Sequence, residues 1–143
     1  MSTEVKSNHC LCDALYELKL LQDLLNNSQT KFFGRLLSKI VGTDTIPFLL
    51  ITKKGDPLSF SSTEECFETS YFRIESIDKE TCCTKISLLR PLDIESNYSN
   101  SICDLVRLEK TSICKNVDLS RICAIQLLET KLLTRKIIIE PKW

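Results

Sequence analysis

Eight cysteines, at positions 10, 12, 66, 82, 83, 103, 114 and 123, are the residues of this 143-residue chain best equipped for chemistry. A thiolate can attack a carbon centre, ligate a metal or form a disulfide, and the neighbours decide which. His9, Cys10 and Cys12 with Cys82 and Cys83 could supply four zinc ligands. Structural zinc, however, prefers paired CxxC knuckles, and no CxxC occurs anywhere in the chain. The same absence excludes a thioredoxin-like redox motif. A Cys–His dyad needs a held histidine, and the single histidine is His9, close to the N-terminus. Glu64-Glu65 and the pair Asp93/Glu95 lie in polar, loop-like stretches and read as solvated charge. Thr134-Arg135-Lys136 is too short for a nucleic-acid patch. No catalytic, cofactor-binding or metal-ligating residue is expected, and the chain reads as a non-enzyme. Disulfide chemistry is what remains.

The composition makes those cysteines conspicuous. A chain of 143 residues can bury roughly two thirds of its unfolded surface, so it does not need bridges to build a core. Nineteen Lys+Arg balance nineteen Asp+Glu, which excludes a general polyanion binder. Three glycines form no GxGxxG or Walker loop. The N-terminal stretch lacks the apolar core and small-residue cleavage site of a signal peptide, and no apolar run is long enough to span a bilayer. The expectation is a cysteine-rich protein made in a reducing compartment, with no nucleic-acid partner and no membrane insertion.

The elements that position the thiols follow from periodicity. Between about Cys10 and Asn27, Leu11, Ala14, Leu15, Leu18, Leu21, Leu24 and Leu25 recur at helical spacing, with Ser7 or Asn8 as cap. A shorter helix is predicted within residues 31–41, with Phe33, Leu36, Leu37 and Ile40 on its apolar side and Gly42 closing it. Strand patterns follow at residues 46–52, 58–60, 70–77, 82–90, 102–109, 113–117 and 122–128, the fifth and sixth joined around Lys110-Thr111-Ser112. Ile137-Ile138-Ile139 is a further apolar patch. The predicted class is α+β, mainly β: an N-terminal amphipathic helix followed by an antiparallel sandwich or open barrel of about six short strands. One domain is expected over residues 1–143. It comprises a helical element at 1–42, a β-rich core at 43–128 and a C-terminal extension at 129–143.

Side chains alternate across a strand, so residues two apart share a face. Cys82 would then align inward with Thr84, Ile86 and Leu88, and Cys83 outward with Lys85 and Ser87. Cys123 aligns with Ile125 and Leu127. Cys103 falls beside Arg107 and Glu109, and Cys114 beside Asn116 and Asp118. Cys66 follows a polar approach, and Cys10 and Cys12 sit at the helix entrance. The reading is six accessible thiols, Cys10, Cys12, Cys66, Cys83, Cys103 and Cys114, as candidates for bonds between chains, with Cys82 and Cys123 in the core.

Several stretches also occur together in a telling order. They are Asp44-Thr45-Ile46-Pro47-Phe48, Phe72-Arg73-Ile74-Glu75, Ser87-Leu88-Leu89-Arg90-Pro91, Arg107-Leu108-Glu109-Lys110-Thr111, Val117-Asp118-Leu119 and Cys123-Ala124-Ile125-Gln126. This set resembles the spore coat and exosporium proteins of endospore-forming bacteria, the type called spore coat protein Y and Z. It does so as a reduced-cysteine member, since residues 27–35 lack the usual cysteine pair. The resemblance implies a structural protein that self-associates into two-dimensional layers reinforced by intermolecular disulfides. That role would fall on Cys10, Cys12, Cys66, Cys82, Cys83, Cys114 and Cys123. The partners implied are further copies of the chain and other coat proteins, at the spore surface, after synthesis in the mother-cell cytoplasm. Two rivals stand beside it: a non-enzymatic adaptor for another coat protein, and a zinc-stabilised binding domain.

Overall fold

The computed structural model describes residues 3–26, 36–41, 44–93, 95, 97–99, 105, 107–128 and 138–139. Helix α1 runs over Thr3–Asn26. It starts upstream of the expected caps Ser7 and Asn8, which fall inside it. On it Cys12, Leu15, Leu18, Gln22 and Leu25 are buried, the three-and-four spacing of one helix face. The apolar set expected from periodicity is split: Leu15, Leu18 and Leu25 go inward, whereas Leu21 and Leu24 are 53% and 43% exposed. A leucine-rich helix offers more than one apolar stripe, and the sheet beneath selects one. Helix α2, Leu36–Val41, departs further. Leu36, Leu37 and Ile40, expected inside, are exposed, and Ser38 is the buried residue. Phe33 and Gly42 lie outside the described residues.

The rest is mainly β. Strands β1 (Phe48–Thr52), β4 (Phe72–Ile77), β5 (Thr84–Leu92), β6 (Arg107–Val117) and β7 (Ile122–Leu127) form an antiparallel sheet in the order β7-β1-β4-β5-β6. A two-residue strand, β8 (Ile138–Ile139), lies parallel to Arg107 and Leu108 at the β6 edge. Strands β2 (Phe60–Ser62) and β3 (Phe67–Thr69) make a separate ribbon. No second sheet of comparable size faces the main one among the described residues. Instead Leu15 and Leu18 of α1 join Phe48, Leu50, Phe72, Ile74, Ile86, Leu88 and Ile122 in one apolar cluster. Phe72 lies at its middle, edge-on to Phe48 at 6.2 Å and to Phe60 of the ribbon at 5.9 Å. Tyr71, Leu89, Leu105 and Leu108 form a second cluster. The ribbon is tied to β5 by Thr69, whose hydroxyl donates to the Leu89 carbonyl at 2.7 Å and accepts the Tyr71 N–H at 3.0 Å.

The turn expected at Lys110-Thr111-Ser112 does not exist. Residues 107–117 are one strand, and the irregularity is a bulge between the pairs Ser87↔Cys114 and Leu89↔Lys110. Thr111 makes the bulge tolerable: its hydroxyl donates to the Leu88 carbonyl at 2.7 Å, replacing a lost ladder bond. Polar residues that signal a turn can equally repair a bulge.

A polar clasp joins the helix to the sheet. Gln22 donates from Nε2 to the Asp44 carbonyl at 2.5 Å and accepts the Ile46 N–H on Oε1 at 2.8 Å. The Asp44 carboxylate, 2% exposed, accepts Lys110 Nζ on both oxygens, at 2.8 and 2.7 Å, and the Thr45 hydroxyl at 2.9 Å. Buried Arg73 donates to Glu75 at 2.6 Å and to Asn26 at 2.7 Å. Burial alone would raise the pKa of Asp44. The bonds from Lys110 and Thr45, with the charges of Lys110 and Arg73, outweigh it and hold the carboxyl below the usual aspartate range. A depressed folded-state pKa contributes stability that is present above the unfolded value and lost as pH falls through the folded one. Accordingly, the stability advantage of the native chain over Asp44→Asn, measured by urea unfolding, will shrink as pH drops below the usual aspartate range. Lys110→Ala strands a buried carboxylate and will cost about 3 kcal/mol at neutral pH.

Candidate functional site

The chemistry of this chain resides in its sulfurs, and the fold places them unequally. Cys12, on the buried face of α1, is 1% exposed and bonded to Cys82, with Cα atoms 5.5 Å apart. The bridge closes a sequence separation of 70 residues and pins the helix to the β4–β5 turn. Cys12 is therefore not an accessible thiol, because its helical position points into the core. Cys82 is not a strand residue either. It lies in the turn after β4 with φ +61°, and its N–H donates to the Asp78 carbonyl at 2.6 Å. The Asp78 carboxylate accepts the N–H groups of Glu80 and Thr81, which keep its pKa below the usual range and shape the turn. With the turn so built, Cys82 is half-buried against the core and Cys83 is exposed.

The remaining sulfurs are spread around the molecule. Cys10 is exposed on α1, and Cys66 is exposed at the β2–β3 turn with φ +56°. Cys114 is exposed on β6, across from Ser87. Cys123, expected in the core, is exposed on β7, where its Sγ donates to the Thr52 carbonyl at 3.3 Å. Alternation had placed it with Ile125 and Leu127. However, β7 is an edge strand, and Ile125 is only partly buried while Leu127 is 49% exposed. Cys103 lies outside the described residues. Among the described cysteines the structure bonds one pair, Cys12 and Cys82, and leaves the other five free and exposed.

No group of three His, Cys, Asp or Glu side chains among the described residues could hold a metal ion. The sulfurs of Cys12 and Cys82, needed for a zinc set with Cys10 and Cys83, are committed to each other. No described helix is long and apolar enough to cross a membrane. The bridge and the polar clasp were both missed in the sequence. Nothing in the spacing of Cys12 and Cys82 announces their pairing. Gln22 did leave a signal, since it interrupts the buried stripe between Leu18 and Leu25.

The bridge has a measurable consequence. Cross-linking a loop of 70 residues restricts the unfolded chain by about 4 kcal/mol in the chain-entropy account. Denaturant unfolding of the oxidised protein should thus shift to lower midpoint in excess dithiothreitol. The double variant Cys12→Ser/Cys82→Ser should reproduce the reduced midpoint and lose its response to dithiothreitol.

Comparison with known proteins converges on one family. The family described as Spore coat protein Z matches residues 1–130. Spore coat protein Z of Bacillus subtilis (strain 168) is 32% identical over 143 residues, covering 91% of this chain and 95% of that protein. No solved structure matches. With a bridged helix-on-sheet core, thiols dispersed over its surface and a family match along most of its length, this chain belongs to the spore coat protein Z family.

Proposed function

We propose that this chain is a structural, non-enzymatic protein of the endospore coat that assembles with copies of itself and is then locked by disulfides between chains. The observation that carries the reading is the division of labour among the sulfurs. One pair, Cys12–Cys82, is consumed within the chain, while Cys10, Cys66, Cys83, Cys114 and Cys123 remain exposed on a helix, two turns and two strands. Thiols facing several directions suit a subunit bonded to several neighbours. A catalytic thiol would instead need a base beside it in a cleft. The family relationship supports a place in the spore coat and company with other coat proteins.

Assembly is noncovalent first and covalent second. Coat proteins made in the mother-cell cytoplasm meet a pool that keeps surface thiols reduced. Interchain bonds form once the layer meets oxidant, and only where packing already holds two Cα atoms within about 7 Å. A formal charge of zero lets copies approach without strong mutual repulsion. The exposed Leu21, Leu24, Leu36, Leu37 and Ile40 favour a second reading, an adaptor that docks another coat protein on this apolar helical surface.

Negative-stain microscopy and light scattering of the purified chain, with and without dithiothreitol, test the reading. Ordered assemblies should persist under reduction, and non-reducing electrophoresis should show covalent oligomers only after oxidation. A chain that stays monomeric in both buffers would overturn self-assembly.

A further inference from the structure

A groove of about 500 Å³ opens beside the β7 edge of the sheet. Its floor is apolar, with Leu58, Phe60 and buried Ile122. Its rim is cationic: Lys53, Lys54 and Arg121 are all exposed there. The one rim carboxylate, Asp118, accepts the Ser120 N–H at 3.0 Å and is held in its charged form by that bond. Neither Lys53 nor Lys54 has an ion-pair partner among the described residues. Cys123 lies next to this rim, two residues after Arg121, and its Sγ donates to the carbonyl of Thr52, which lines the groove.

The opposite chemistry sits at the far end of β2, whose Phe60 reaches the groove floor. The β2–β3 turn runs Thr63-Glu64-Glu65-Cys66, and all four residues are exposed. Glu65 makes a loose, exposed pair with Arg90 at 3.7 Å. The turn thus presents two carboxylates and a thiol in consecutive positions, with Cys66 in a left-handed conformation and exposed. One surface carries a thiol beside cations, and the other carries a thiol beside anions.

We infer that the β2–β3 turn of one copy docks on the cationic groove of the next, setting Cys66 against the neighbour's Cys123. This deepens the self-assembly reading and rests on it, naming one contact by which copies join. The two surfaces differ, so a copy that offers its turn to one neighbour keeps its groove free for another, and the contact can repeat from copy to copy. Complementary charge steers the encounter, and exposed charges make it sensitive to salt. Bonding is then a two-electron oxidation. The two thiols lose two protons and two electrons to a low-molecular-weight disulfide such as oxidised glutathione, which becomes two glutathione thiols.

Full-length variants test it. Both retain Cys12 and Cys82; one keeps only Cys66 of the other cysteines, and the second keeps only Cys123, the rest being serine. Mixed in low salt with oxidised glutathione, they should give a disulfide-linked heterodimer about tenfold faster than either gives a homodimer, and salt should slow it. Lys53→Glu/Lys54→Glu on the Cys123 carrier should abolish the gain, and Glu64→Lys/Glu65→Lys on the Cys66 carrier should restore it. That restoration excludes misfolding as the cause. Homodimers forming as fast as heterodimers, or a yield indifferent to salt, would overturn the contact. If the native chain still builds layers in that case, the assembly reading stands and this contact alone falls. If the native chain stays monomeric in oxidising and reducing buffer alike, the assembly reading itself falls.

Discussion

Phe48, Leu50, Phe72, Ile74, Ile86 and Leu88 form an apolar sheet face that has to be kept from water, and α1 is the element that helps cover it. Most of what is distinctive here follows from that requirement. Docking Leu15 and Leu18 on the sheet rotates Cys12 inward, where Cys82 meets it. It also brings Gln22 and Asn26 over the strand entrance and the β4 arginine, so the helix is held by apolar burial, by a covalent bond and by the hydrogen bonds of Gln22 and Asn26 together. Burying large side chains supplies most of the favourable free energy, at about 1.5–3 kcal/mol for each fully buried residue. The polar clasp adds specificity of placement, since any shift of the helix would part the buried Gln22 amide from the Asp44 carbonyl and the Ile46 N–H.

That arrangement leaves the exterior available. Once the helix and the bridge secure the interior, the remaining described cysteines carry no structural duty that would forbid their use elsewhere. They are exposed on a helix face, at two hairpin turns, and on the strands β6 and β7 toward opposite sides of the sheet. Edge strands and turns are also the places where a protein is most open to pairing with another chain. Family membership places the chain among spore coat proteins.

The amino-acid sequence by itself determined the mainly β class, the long helix and most strand positions. These depend on local periodicity and residue inventory. It also led to the family, through short stretches such as Phe72-Arg73-Ile74-Glu75 whose order survives. Tertiary structure alone decided which stripe of α1 is buried, because a helix with leucines on several sides has no internal preference. It decided that Lys110-Thr111-Ser112 is a bulge, since only the facing β5 reveals that the strand continues. And it decided the fate of the cysteines. Alternation along a strand says which residues share a face, but not which face is covered. Cys123 proved exposed because β7 is an edge, and Cys12 bonded because a partner 70 residues away in sequence arrives beside it only when the sheet has formed.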